Sequence, residues 1–349
     1  MKDTAGDNRI PVYVVSGFLG SGKTTFLRKA LREPVLSGSL LLVNEVGELG
    51  VDDRLIRLDG TPTVLLGNGC LCCTANEGLS TALHKVVETD FGQKVERIII
   101  ETTGLADPLP VISTIAINSF LAANLRVELV LTIVDALHAD EEESASLDYI
   151  RQIETADVVL LSKTDMVSTA QVLKAQEMVA RLNPLCQCLH VQDTTLGELL
   201  ALPHSQRADR LAHNWFPDLV EDQQEPTRTR LRLGSRSIAP GSHALRVNTF
   251  CLELGEELDW VRFAVWLSAL LHAHGNQILR IKGFLALEDN RLPVVVNCVH
   301  HVIYFPEHLD SWPSEDRRSF LIFVVKDILP EQLLRSLQAC VRTARQLPN

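Results

Sequence analysis

The chain has 349 residues, 46% of them hydrophobic, with 44 acidic against 33 basic side chains and a formal net charge of −11. That length suggests about two domains of roughly 150 residues each, and the acidic balance disfavours a general attraction to nucleic acid or an anionic membrane. No stretch reaches the ~18 uninterrupted apolar residues of a membrane span; the nearest, Leu121 to Leu137, carries Arg126, Glu128 and Asp135. The polar start, Met1 to Asp7, lacks the apolar core of a secretory signal, so a cytoplasmic protein is expected. Eight cysteines in so long a chain do not read as a disulfide framework.

The first predicted strand, Val12–Ser16, runs into Gly17-Phe18-Leu19-Gly20-Ser21-Gly22-Lys23-Thr24 and then a helix from Thr25 to Arg32. This is a complete G-x-x-x-x-G-K-[ST] phosphate-binding loop in the strand-to-helix setting it requires. Backbone N–H groups of Gly17, Gly20, Ser21, Gly22 and Thr25 would curl round a polyphosphate. Lys23 would neutralise its β- and γ-phosphates, and the Thr24 hydroxyl would ligate Mg²⁺. A strand at Leu40–Asn44 leads into Asn44 to Asp53, whose glycines and carboxylates suit a mobile γ-phosphate switch.

A strand at Thr63–Leu66 precedes Cys70-Leu71-Cys72-Cys73, followed by a helix at Ala75–Glu88. Thiolates are soft ligands for Zn²⁺ and other late transition metals, and these three sulfurs lie within reach of one ion. The fourth donor is left open between Glu48, a histidine, water and a partner protein. Buried apolar cysteines and metal-free redox thiols are the competing readings.

The strand Arg97–Glu101 ends in an acid and then Gly104. Glu101 is expected to act on Mg²⁺ through water, and Gly104 to offer its N–H to a γ-phosphate. After strands at Val127–Asp135 and Val158–Ser162 comes Ser162-Lys163-Thr164-Asp165, an [NST]-K-x-D element. Its Asp165 would accept from guanine N1–H and the 2-amino group, donors that adenine lacks, while Lys163 lies against the base. Serine at the first place, where asparagine is commoner, is expected to loosen the site slightly. A helix at Thr169–Leu182 and a strand at Cys188–Val191 complete an α/β domain with a mostly parallel sheet, set at 8–202.

Residues 203–242, rich in Gln, Arg, Pro, Asp and Ser, read as a linker. Beyond it, 243–346 alternates as a strand (Ala244–Leu254), a helix (Glu257–Ala273), strands at Gln277–Leu287, Pro293–Tyr304 and Phe320–Val325, and a helix from Pro330 to Arg345. That order predicts a smaller α+β domain with its helices on one face of an antiparallel sheet. Cys186 and Cys188 are expected to pack, the histidines at 272, 274, 300 and 301 to be surface residues, and His138 to approach the nucleotide domain's surface with no partner legible.

The combination GFLGSGKTT at 17–25, NEVGELGVDD at 44–53, GCLCC at 69–73, ETTGLADP at 101–108 and SKTD at 162–165 resembles the CobW-type metallochaperone GTPases. Leu279 to Gly283 is similar to part of that family's second domain. The resemblance implies a GTPase that couples GTP or GDP state to a metal site on Cys70, Cys72 and Cys73. The metal would be zinc foremost, with cobalt or nickel as alternatives, and the partner an unidentified client metalloprotein. Valine replaces the more frequent phenylalanine at position 46, and the histidine-rich tract of some members is lacking. The residues alone also admit a regulatory switch that senses nucleotide and metal and acts by docking on a partner. The oligomeric state and the carboxylate that orients the attacking water, among Glu45, Glu48 and Asp107, stay open.

Overall fold

The computed structural model describes residues 7–44, 54–58, 61–66, 74–88, 95–139, 146–201, 230–233, 247–254, 257–288, 290–309, 311–312, 317 and 319–342. The chain divides into two compact units, Gly6–Leu202 and Met1–Ala5 with Pro203–Asn349.

The first unit is built on an eight-stranded sheet ordered β3-β4-β2-β5-β1-β6-β7-β8. Its strands are β1 (Ile10–Gly17), β2 (Ser39–Asn44), β3 (Arg54–Leu58), β4 (Thr61–Leu66), β5 (Arg97–Glu101), β6 (Leu125–Asp135), β7 (Val158–Ser162) and β8 (Gln187–His190). All neighbours run parallel except β3, which lies antiparallel to β4 at the edge. The β-branched runs are explained by burial on both faces, since Val12, Val14 and Val15 of β1 are 0% exposed.

Helix α1 (Lys23–Ala30) covers one face, where Phe26 and Leu27 pack with Val15, Ile99 and Leu131. In chain order follow α2 (Thr74–Glu88), α3 (Leu109–Ile117), α4 (Ser119–Asn124), α5 (Leu147–Thr155), α6 (Thr169–Leu182) and α7 (Leu196–Leu200). Tyr149 and Ile153 of α5 and Met178 and Val179 of α6 pack on Val159 and Leu161. Ser168 and Gln171 form a capping box that fixes the start of α6.

The parallel register sets the functional edge. Val15 pairs with Glu101, Gly17 with Ile133, and Asp135 with Ser162, so the carboxyl ends of β1, β5, β6 and β7 lie side by side. Ligands of such sheets gather at this edge.

The second unit carries a seven-stranded sheet ordered β13-β12-β11-β15-β10-β9, with β14 beside β12. These are β9 (Arg230–Leu233), β10 (Val247–Leu254), β11 (Ile278–Leu287), β12 (Asn290–Val299), β13 (Val302–Ile303), β14 (Glu307–His308) and β15 (Ser319–Lys326). Helices α8 (Trp260–His274) and α9 (Pro330–Arg342) share one core with the sheet. Phe263, Trp266, Leu271 and Leu337 meet Phe250, Ile281 and Phe323 there, and Trp266 Nε1 donates to Ser336 Oγ at 3.0 Å to tie the two helices.

Several boundaries differ from the sequence reading. The run 293–304 breaks at His300, whose φ of 50° turns the chain into a tight hairpin. Helix α8 starts at Trp260 rather than Glu257, because the Asp259 carboxylate caps Arg262 N–H at 2.8 Å. Strands β3 and β14 and helices α3, α4, α5 and α7 were not expected, and β9 lies within the stretch read as linker. Residues 244–246 and 343–345, expected to extend β10 and α9, are outside the described residues.

Candidate functional site

Strand β1 ends at Gly17, and the chain turns through Gly20 (φ 75°) and Gly22 (φ 96°) before α1 begins at Lys23. A left-handed Gly22 is the sharp corner that a residue with a Cβ would resist. No described side chain caps the first turn of α1, so its N–H groups remain to meet an anion. Lys23 is 8% exposed, and its ammonium donates to the carbonyls of Gly17 (2.6 Å) and Phe18 (2.9 Å), which holds it across the loop. Ser21 is 0% exposed, and its hydroxyl has no partner among the described residues.

On the neighbouring strand, the Glu101 carboxylate accepts from Thr24 Oγ1 at 2.8 Å. Glu101 is 6% exposed while Thr24 is open to solvent. This pair offers two hard oxygen donors beside the phosphate loop, a donor set that fits Mg²⁺. The strand ends are joined by Thr102 N–H to the Val15 carbonyl (3.0 Å) and by Thr102 Oγ1 to Ser16 Oγ (3.1 Å). The following turn brings Gly104 against the phosphate loop, where an added Cβ would lie 2.8 Å from Leu19 N. Asp107 accepts from Leu109 N–H at 2.9 Å and lies 3.7 Å from Arg151, so of the carboxylates considered for the hydrolytic water it is already engaged.

The third wall comes from β6 and β7. Ser162 Oγ donates to the phosphate-loop carbonyl of Ser21 at 2.7 Å, tying the first residue of SKTD to the loop. Lys163 takes a left-handed backbone (φ 55°) and places its ammonium 2.5 Å from Asp135 Oδ2. Asp135 is 1% exposed and accepts also from Leu137 N–H and His138 Nδ1, both at 2.9 Å. Burial alone would raise this carboxyl. The hydrogen bonds from Lys163, His138 and Leu137, with the Lys163 charge, outweigh burial and hold it below the usual carboxylate range. Asp165 sits exposed in a one-turn 3₁₀ helix, Thr164–Met166.

The fold thus brings Gly17 to Thr25, Glu101, Gly104 and Ser162 to Asp165 to one sheet edge. Cys70, Cys72, Cys73, Glu48, Glu45 and the switch residues 45–53 lie outside the described residues. Among the described residues no cluster of three metal-ligating side chains forms, so the histidines at 272, 274, 300 and 301 do not assemble a metal site. Cys186 and Cys188 pack against the α5–α6 core, and burial pushes the Cys188 thiol up to about 11, which keeps it protonated.

Two site residues escaped the sequence reading. Asp135 read as a strand end, although an acid closing an apolar strand beside the SKTD turn is a signal of its own. It is also the partner that His138 lacked. Gln152 is the other: it shares the inward face of α5 with Tyr149 and Ile153, and a polar residue in an apolar helical stripe is the cue that went unused.

A parallel sheet with a phosphate loop after its first strand and the SKTD turn after β7 beside it defines a phosphate-loop nucleotide-binding domain. Residues 11–190 match the CobW/HypB/UreG nucleotide-binding domain, and residues 247–341 match the cobalamin synthesis protein cobW C-terminal domain. The chain belongs to this family. It is 31% identical to the zinc chaperone YjiA of Escherichia coli over 96% of this chain and 99% of that protein. It is 27% identical to the zinc-regulated GTPase metalloprotein activator 1 of Schizosaccharomyces pombe, over 93% of this chain and 82% of that one. The crystal structure of the Zn(II)-bound YjiA GTPase from E. coli superposes with a TM-score of 0.59 at 27% identity, covering 96% of this chain and all of that one.

Proposed function

We propose that this chain is a GTP-hydrolysing metallochaperone that couples its nucleotide state to the binding and delivery of a transition metal. The observation that carries the nucleotide half is the convergence of Lys23, the Thr24–Glu101 pair and Ser162 to Asp165 on one sheet edge. In this reading the phosphate loop and Lys23 bind the β- and γ-phosphates, which requires Lys23 to leave the Gly17 and Phe18 carbonyls for phosphate oxygens. Asp165 reads the guanine edge, and Lys163, held by Asp135, forms the platform beneath the base. Thr24 would ligate Mg²⁺, with Glu101 acting on it through water, and the bound ion would offset the charge of the phosphates. Water attacks the γ-phosphorus as its bond to the β–γ bridging oxygen breaks, leaving GDP and inorganic phosphate.

No glutamine stands in the segment directly after Glu101, so unaided turnover is slow in this reading. The carboxylate that positions the water stays open among Glu45, Glu48 and Asp107, the last of which accepts from Leu109 N–H and neighbours Arg151.

The cargo metal is bound by Cys70, Cys72 and Cys73 with Glu48 as a further donor, a thiolate-rich set suited to Zn²⁺ and also to Co²⁺ or Ni²⁺. The names of the relatives favour zinc. GTP tightens the site through the 44–53 switch, and hydrolysis relaxes it for transfer to a client metalloprotein. Coupling is reciprocal, so a hundredfold effect amounts to about 2.7 kcal/mol, within the usual range for linked sites. A cytoplasmic location belongs to the same reading; no helix among the described residues is long and apolar enough to cross a membrane.

The direct test is hydrolysis and binding of GTP against ATP by the parent chain and by Lys23→Ala. GTP selectivity in the parent with loss of binding in the variant supports the reading. Unchanged GTP affinity in Lys23→Ala would sink it.

A further inference from the structure

Helix α5 carries a buried side chain that the nucleotide motifs do not account for. Gln152 is 0% exposed. Its Nε2 donates to the carbonyls of Gly104 (3.2 Å) and Ala106 (3.0 Å), while its backbone carbonyl accepts from Thr132 Oγ1 on β6 at 2.8 Å. The residue is therefore anchored to the sheet and reaches the turn that follows β5. Chemistry dictates the orientation of the amide, because a flipped group would point its oxygen at two carbonyl oxygens. The consequence is a buried Oε1 with no partner among the described residues. An arrangement that leaves one acceptor unmet in order to hold two backbone carbonyls of one turn is a positional device rather than a packing accident.

That turn is the one beside the phosphate loop. It is closed by Ala106 N–H to the Thr103 carbonyl at 3.1 Å. An added Cβ on Gly104 would come within 2.5 Å of Leu19 Cδ2 and 2.8 Å of Leu19 N, so Gly104 touches the phosphate loop itself. The same helix grips that loop as well, for Tyr149 packs edge-on against Phe18 with ring centroids 5.9 Å apart. One helix thus contacts both the loop that would receive the β-phosphate and the turn that would meet a third phosphate.

We propose that Gln152 is a positioning residue that presets the Gly104 turn for a γ-phosphate, and so governs how strongly the chain prefers a nucleoside triphosphate over a diphosphate. The proposal rests on the GTPase reading above. The diphosphate is met by the phosphate loop, with which Gln152 makes no hydrogen bond among the described residues. Freeing the Gly104 and Ala106 carbonyls lets the turn relax, which weakens only the state whose terminal phosphate reaches it.

The test compares Gln152→Leu and Gln152→Glu with the parent for the affinities of GDP and of a non-hydrolysable GTP analogue, both with Mg²⁺, and for kcat. The leucine removes both donors at similar size, and the glutamate sets a carboxylate against two carbonyls. The expected result is GDP affinity within twofold of the parent, analogue affinity weaker by about tenfold, and kcat reduced by a similar factor. Equal losses for both nucleotides, or an unchanged ratio in a folded variant, would overturn the assignment. Hydrogen exchange of the parent chain covers the case of variants that do not fold. Residues 103–107 should exchange at least threefold more slowly with the analogue than with GDP, and equal exchange overturns the proposal. A parent chain that binds neither nucleotide would instead refute the GTPase reading on which it stands.

Discussion

Replacing Asp135 with asparagine isolates the placement of Lys163. The substitution keeps the side-chain volume but removes the charge that holds the Lys163 ammonium at 2.5 Å. A charge-assisted hydrogen bond of this kind is worth about 1.5–3 kcal/mol. Lys163 keeps 31% of its side chain exposed, so solvent recovers part of that. The net expectation is a loss of about 1–2 kcal/mol in guanine-nucleotide binding, a rise of about five- to thirtyfold in Kd. Titration with a fluorescent GDP derivative in the presence of Mg²⁺ reads this directly. Asp135 also accepts from Leu137 N–H and His138, so melting temperature is followed alongside to separate binding from folding. A Kd within twofold of the parent in a fully folded variant would refute the idea that Asp135 places the base platform.

Ser162→Ala removes the hydroxyl bond to the Ser21 carbonyl, and nucleotide affinity should fall by about threefold to tenfold, the effect of losing a neutral hydrogen bond of about 1 kcal/mol; calorimetric titration with GDP checks it. Lys23→Ala should leave no measurable GTP binding, whereas the melting temperature of the unliganded chain shifts by a few degrees at most, as differential scanning would report. Asp7 accepts from Arg9 and Arg126, and although burial acts against it, these partners hold its carboxyl well below the usual range. A depressed carboxyl stabilises the fold fully above its unfolded pKa of about 3.9 and loses that contribution as pH falls toward the folded value. The stability gap between the parent and Asp7→Asn in urea should therefore be full at pH 7 and shrink below pH of about 4.

The parallel strands were legible because the buried ones are short apolar runs, as in Ile98 to Ile100 and Val158 to Leu161. The phosphate loop and SKTD were legible because their chemistry is local to a few consecutive residues. What escaped was non-local or masked by local breakers. Helix α3 begins between Pro108 and Pro110, which hide a helical pattern although proline suits a first helical turn. Strand β3 places two arginines in five residues and carries no strong apolar run, yet it pairs as an edge strand against β4. The partners of Lys163 and of Gly104, namely Asp135 and Gln152, lie 28 and 48 residues away, and only the register of the sheet and the docking of α5 bring them together.

In the proposed function, nucleotide state governs metal affinity at Cys70, Cys72 and Cys73. Zn²⁺, and Co²⁺ in turn, should be titrated into the purified chain with Mg²⁺ and either a non-hydrolysable GTP analogue or GDP, beside a variant with all three cysteines changed to serine. Metal affinity should be at least tenfold tighter with the analogue, about 1.4 kcal/mol or more, and that difference should be lost in the variant. Equal affinities in the two nucleotide states would contradict it and leave a GTPase whose clustered cysteines serve another purpose.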